Sequence, residues 1–258
     1  MKFSRFTILL QSLAGIMLFA WLAPAAFAQG ASTANVLGQM SAAFSGVQVV
    51  QQIQLTGNAT WYAGNTDDSG SVTLTASSNG KSQMQLALGS AGQRTESQTG
   101  SGSSASCQWA GADGVAHPIR SGACWRPALW FLPAFSFQPS QLSENLTATD
   151  LGTGMVGAGD TPLRHFQSQL TLTNAPASLA ADVAQWSKTE IGLDPATLLA
   201  AVMTYSVRPD NGAAVAVAIE IRYSNYRAVD GVQIPFTIQR YVNGALQLEI
   251  EISAAQIN

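Results

Sequence analysis

The stretch that decides the fold is Val215-Ala216-Val217-Ala218-Ile219-Glu220-Ile221-Arg222-Tyr223, followed by Val232-Gln233-Ile234-Pro235-Phe236-Thr237-Ile238 and Leu246-Gln247-Leu248-Glu249-Ile250-Glu251-Ile252. In each segment apolar residues alternate with polar or small ones. Val215, Val217, Ile219, Ile221 and Tyr223 point one way, and Glu220 and Arg222 point the other. A period of two with one apolar face describes antiparallel strands covered on one side. Between the segments stand Asp230-Gly231 and Asn243-Gly244. Both pairs tolerate the positive φ angles of tight hairpin turns. Residues 205–255 therefore read as a meander of long strands.

Working toward the N-terminus, the theme repeats with less force. Asn79-Gly80, Asp113-Gly114 and Asn211-Gly212 offer further two-residue turns. Residues 49–61, 72–76, 84–88 and 93–98 read as strands, with Asp67-Asp68-Ser69-Gly70 as punctuation. Residues 146–155 and 163–172 read as a hairpin, in which Phe166, Leu170 and Leu172 share a face that Ser168 interrupts. The Ser/Gly-rich residues 100–106 read as a flexible connection.

Helices are few. Leu37, Met40 and Phe44 have the spacing of one helical face. Residues 174–187 carry Asn174 as a candidate cap, Pro176 near the first turn, and a Leu179, Val183, Trp186 stripe. The aromatic run Trp130, Phe131, Phe135 and Phe137 is broken by Pro127, Pro133 and Pro139, which excludes a long helix. Short turns lying across a sheet suit it better.

Composition narrows the function classes. Of 258 residues only 12 are Lys or Arg and 15 are Asp or Glu, so 10% are charged and the net charge is −3. No basic surplus exists to neutralise phosphates, which argues against nucleic acid. Hydrophobic content of 47% with low net charge argues against disorder. Residues 1–28 have the form of a secretory signal: Lys2 and Arg5, an apolar run to Leu22, Pro24, then Ala26-Phe27-Ala28. Cleavage is expected after Ala28, leaving a single β-rich domain over 29–258. The expected location is periplasmic or secreted, soluble once the signal is removed; the alternative is an uncleaved anchor.

Export favours oxidation, so the two cysteines, Cys107 and Cys124, are expected to form a disulfide. Their spacing is wrong for a CxxC redox motif, and two cysteines with two scattered histidines, His117 inside the Cys107–Cys124 loop and His165 beyond it, make a poor zinc set. No G-x-S-x-G, H-E-x-x-H or phosphate-loop motif occurs. Asn65, Asp67 and Asp68 lack the spacing of an EF-hand and read as a polar hairpin tip. The expectation is a protein without enzymatic activity, cofactor or metal.

Two stretches resemble a known family. Ile191-Gly192-Leu193-Asp194-Pro195-Ala196-Thr197-Leu198-Leu199 is similar to the strand, Asp-Pro-x-Thr, strand step of the LolA/LolB-like lipoprotein-carrier superfamily. The run from Tyr226 through Asp230-Gly231 and Pro235-Phe236 to Asn243-Gly244 resembles that group's closing hairpins. The order of elements is similar too: an opening helix, long hairpins, a mid-chain lid and more strands. Residues 174–187 and the Cys107–Cys124 loop depart from the pattern. The resemblance implies an unclosed, strongly curved antiparallel half-barrel, with helices over a concave face that holds acyl chains.

On that reading Trp130, Phe131, Phe135 and Phe137 form a lid. Val72, Leu74, Met84 and Leu86 from the first half, with Val217, Ile219, Phe236 and Ile238 from the second, line a cavity. The expected function is binding of a lipid, a lipoprotein acyl chain or another lipidated partner in the cell envelope. Two alternatives stay open. One is a sensor or structural module with a filled core that binds an envelope protein. The other is an outer-membrane β-barrel whose apolar face meets lipid.

Overall fold

The computed structural model describes residues 33–100, 105–119, 124–125, 129–136, 146–173, 175–208 and 215–258. The segment 1–28, Asn174, Asn211-Gly212 and Phe137 lie outside these residues.

The strands are β1 Gln52–Ala63, β2 Thr66–Ser77, β3 Ser82–Leu88, β4 Gly92–Thr99, β5 Ser106–Ala110, β6 Ala116–Ile119, β7 Leu146–Gly154, β8 Leu163–Leu170, β9 Thr189–Leu193, β10 Ala200–Val207, β11 Val217–Val229, β12 Val232–Val242 and β13 Ala245–Ile257. The helices are α1 Thr33–Ser45, α2 Pro133–Ser136 and α3 Ala177–Trp186. All thirteen strands join one sheet in the order β6-β5-β4-β3-β2-β1-β13-β12-β11-β10-β9-β8-β7. Every pairing is antiparallel. The fold is therefore two meanders zipped together at β1 and β13. Among the described residues β6 and β7 remain edges, so the sheet is not closed into a barrel.

The turn chemistry explains the meanders. Asp230-Gly231 (φ +49° and +81°) and Asn243-Gly244 (+49° and +82°) have positive φ at both positions, as a type I′ turn demands. Gly80 and Gly114 are left-handed alone, without Asn79 and Asp113, so those hairpins turn through longer loops. The first hairpin turns at Gly64-Asn65, where Gly64 has φ +69°. β1 therefore runs to Ala63 and β2 starts at Thr66, placing Asp67 through Gly70 within a strand and not at a hairpin tip. Val49 is 66% exposed and lies ahead of β1.

Register sorts the side chains. Leu55 stands opposite Leu74, and Leu74 opposite Met84. Ile238 stands opposite Ile250 and Arg240 opposite Leu248. These belong to the buried face, covered by α1 and residues 129–136. α1 contributes Met40 and Phe44, and the Phe44 ring lies 6.2 Å from that of Phe135. Each fully buried side chain of this size stabilises by about 1.5–3 kcal/mol. A register shift between Arg240 and Tyr241 sets Leu246 opposite Tyr241, on the other face. Leu246 thus leaves the apolar row that its spacing predicts.

The other face is polar and continuous. Glu220 accepts from Arg222 Nε at 2.6 Å and from the Ala158 N–H at 2.9 Å. The Arg222 guanidinium lies 4.4 Å over the Tyr241 ring. Gln239 donates to Glu249 at 3.2 Å, and Tyr62 donates to Glu249 at 3.1 Å. The loop after β7 folds onto this face with Val156 buried. A Cβ on Gly157, which has φ +68°, would stand 2.8 Å from the Glu220 carboxylate.

In α3 only Val183 of the predicted stripe is buried; Leu179 is exposed. The helix follows Pro176 and is closed by Ser187, whose hydroxyl donates to the Val183 carbonyl at 2.6 Å and accepts from the Leu170 N–H at 2.8 Å.

Candidate functional site: the covered inner face

The sheet curves strongly. β4 and β12 are five steps apart in strand order, roughly 24 Å along a flat sheet. Arg240 of β12 nevertheless reaches Glu96 of β4, with Nη1 to Oε2 at 3.3 Å and Nη2 to Oε1 at 3.5 Å. The buried face is thus concave, and a charged pair crosses it.

The predicted site residues gather on this concave face. Leu74, Met84, Leu86 and Ile238 are at most 1% exposed, and Val72, Ile219 and Phe236 are also buried. Val217, at the start of β11, is half-buried against the same core. Trp130, Phe131 and Phe135 are buried with Leu129, Leu132 and Ala134. The segment turns tightly, with the Leu132 N–H donating to Leu129 and the Phe135 N–H to Leu132, as its prolines require. Trp130 and Phe131 meet edge to face at 5.5 Å.

Among the described residues, one side-chain hydrogen bond from the sheet reaches this lid. The Tyr223 hydroxyl donates to the Trp130 carbonyl. Burial pushes the Tyr223 phenol well above its ordinary pKa, so it stays a donor at any physiological pH. Tyr226 is likewise pushed up by burial and donates to the Ala200 carbonyl at 2.7 Å. Cys107 and Cys124 are disulfide-bonded, as expected, tethering the chain leading to the lid to β5.

Sequence reasoning missed the charged centre of this face. The Arg240 guanidinium carbon lies 5.1 Å from the Trp130 ring centre and 5.5 Å from that of Trp61. Arg94 of β4 lies 4.5 Å from the Trp61 centre. Arg240 is 5% exposed, and its Nε–H has no hydrogen-bond partner. A signal was present, because the buried alternation Ile234, Phe236, Ile238 runs on to Arg240. Nothing comparable marks Glu96, since β4 (Gly-Gln-Arg-Thr-Glu-Ser-Gln-Thr) has no apolar period.

A small crevice of about 10 Å³ lies among Leu37, Met40, Phe166 and Ile191. Two roomier grooves are polar. One of about 450 Å³ is lined by Gln52, Ser77, Lys81 and Thr99, and one of about 360 Å³ by Lys188, Glu190, Thr204 and Glu220. The histidines stand apart from the lid: His117 stacks on Trp109 at 4.4 Å, and His165 Nε2 lies 3.6 Å from Glu190.

No family model and no curated protein matches the chain. Solved structures do. A candidate outer membrane lipoprotein-sorting protein domain from Vibrio parahaemolyticus aligns with TM-score 0.55 and 11% identity, over 87% of this chain and 91% of that one. A DUF1329 family protein from Desulfovibrio piger aligns with TM-score 0.53 and 11% identity, over 87% and 91%. A LolA superfamily protein from Nitrosomonas europaea aligns with TM-score 0.51 and 12% identity, over 88% and 94%. At these identities the likeness concerns the fold. By its unclosed antiparallel sheet, its covering helices and these alignments, the chain is similar in fold to the LolA-like half-barrels.

Proposed function

We propose that this protein binds a lipid, or the acyl chain of a lipidated partner, between the lid 129–136 and the concave face, and performs no chemistry on it. The observation that carries the reading is the lid itself. It is a short, almost wholly apolar segment laid over an apolar concave sheet by side-chain packing and the Tyr223 contact. Such a cover separates from a sheet at little polar cost, and the face it uncovers has the apolar character of lipid sites. The lipoprotein-sorting description of the Vibrio relative and the LolA membership of the Nitrosomonas relative favour the same use. The cavity walls are assigned to Val72, Leu74, Met84 and Leu86 on one side and Val217, Ile219, Phe236 and Ile238 on the other. Phe137, which lies outside the described residues, is proposed as a further lid residue.

The setting proposed is the cell envelope, with residues 1–28 removed as a signal and 29–258 forming one soluble domain. N-terminal sequencing of the protein from an envelope fraction checks this, and the expected first residue is Gln29. Binding is checked by organic-solvent extraction of the purified protein followed by lipid mass spectrometry, together with titration of a fluorescent fatty acid. Co-purified lipid and a saturable fluorescence rise are expected; absence of both defeats the proposal.

A second reading is favoured by the packing. The lid residues Leu129 through Phe135 are nearly inaccessible, as in a filled core whose function is to present the sheet to an envelope protein. Pull-down from an envelope extract by a protein that binds no lipid would support it.

A further inference from the structure

We propose that Arg240 is the head-group site of this cavity: a buried guanidinium that receives the anionic head of a single-chain lipid, with Glu96 occupying the position until the ligand arrives. The inference rests on the lipid-binding reading above and specifies its ligand as carrying a carboxylate or phosphate.

A buried arginine is costly unless its charge and its donors are matched. Arg240 is only partly matched. Its contacts to Glu96, at 3.3 and 3.5 Å, are longer than the roughly 2.7–2.9 Å of a tight charge-assisted pair. Its Nε–H is buried and unpartnered. The planar guanidinium suits a two-oxygen anion, and Glu96 shows that a carboxylate fits against it. The two partners also differ in access: the Glu96 side chain is 17% exposed and that of Arg240 6%. The carboxylate is therefore the partner nearer water and the cation the deeper one. Trp130 and Trp61 flank the guanidinium at 5.1 and 5.5 Å, so the charge sits directly beneath the lid. An anion entering with its alkyl chain along the apolar strands would replace Glu96, engage the idle Nε–H, and shift the surface on which Trp130 rests.

The test compares cis-parinaric acid with its neutral methyl ester on the purified protein. The acid is expected to bind about tenfold tighter or more, the size of a hydrogen bond to a charged group. Arg240→Gln should remove that preference, bringing the ratio of acid to ester affinity to about one. Glu96→Gln should tighten the acid several-fold without affecting the ester, and it carries the test alone if Arg240→Gln does not fold. Lysophosphatidic acid should displace the bound acid, whereas inorganic phosphate and acetate at the same concentration should not. Equal binding of acid and ester, an unchanged preference in the Arg240 variant, no tightening in the Glu96 variant, or displacement by free phosphate would each overturn the head-group site while leaving lipid binding intact. Failure of both probes to bind would overturn the lipid reading, and this inference with it.

Discussion

At the scale of single residues, the fold depends on places where no side chain fits. A Cβ on Gly70 would stand 1.8 Å from the Ala87 carbonyl oxygen, and one on Gly57 would stand 2.1 Å from that of Glu251. Both obstacles are backbone of a neighbouring strand, which yields only by disturbing the ladder. Gly70→Ala and Gly57→Ala are each expected to destabilise by about 1–3 kcal/mol or more, as overpacking does, and urea unfolding measures it. Gly244→Ala, with open space around its φ of +82°, should lose only the smaller cost of a left-handed residue, roughly 1–2 kcal/mol. How far residues were legible follows the same physics. The alternating row from Ile234 to Ile238 announced a buried face; its continuation onto Arg240 was a signal of a buried charge that the sequence reading passed over. Glu96 could not be foreseen, because its importance comes from curvature that brings β4 across to β12, and sheet curvature leaves no period in sequence.

Among elements, strands with alternation and paired turn residues were readable, and those lacking them were not. β11, β12 and β13 follow their apolar rows except at Val215, which is exposed ahead of β11, and at Leu246, which the register shift turns to the other face, whereas the polar start of β2 was hidden because Asp67-Asp68-Ser69-Gly70 has the composition of a loop. Within β2, Asp68 holds the neighbouring β3–β4 turn. It accepts from the N–H groups of Ala91 at 2.6 Å and Ser90 at 3.0 Å, and from the Ser90 hydroxyl at 2.9 Å. A strand residue thus does the work of a turn residue for the next hairpin. The lid is an element of another kind, tethered at one end by the disulfide. Residues 107 and 124 lie 17 apart, a loop whose closure stabilises by about 3 kcal/mol in the chain-entropy account. Replacing both cysteines by alanine should lower stability by about that amount in urea titration. The same change should speed proteolysis within residues 129–136 ahead of global unfolding, since it releases the lid's anchor.

For the whole molecule, three carboxylates among the described residues are held below their ordinary range and contribute to the pH dependence on the acid side. Asp68 is lowered chiefly by the Ala91 and Ser90 N–H groups. Asp194 is lowered chiefly by the Thr197 N–H and hydroxyl. For Asp150, burial alone would raise the value, but the Arg164 side chain and the Gly152 N–H outweigh it. A folded-state pKa below the unfolded one, about 3.9 for Asp, stabilises fully above that unfolded value. The contribution is lost as pH falls through the folded values. Unfolding midpoints should therefore be flat from pH 7 to about 5 and fall progressively below about pH 4. Asp194→Asn should shallow that fall; an unchanged slope would assign the acid limb to other groups. Arg222, raised mainly by the hydrogen bond to Glu220, stays charged throughout, so the polar outer face keeps its cation as the carboxylates neutralise.

The strand order has one more consequence, for the time at which the protein becomes complete. Neighbours in the sheet are neighbours in the chain everywhere except at the central seam of β1 and β13. There the Ser253 hydroxyl meets the Thr56 carbonyl across 197 residues of sequence. Each meander can form as its hairpins are synthesised, but neither can close its inner border until β13 has left the ribosome. Loop-closure entropy makes that long-range joining the slow step. Until then β1 and β12 both lack the partner that lies between them in the sheet. The seam thus acts as a delay, making the final strand the one that commits the molecule to its native state.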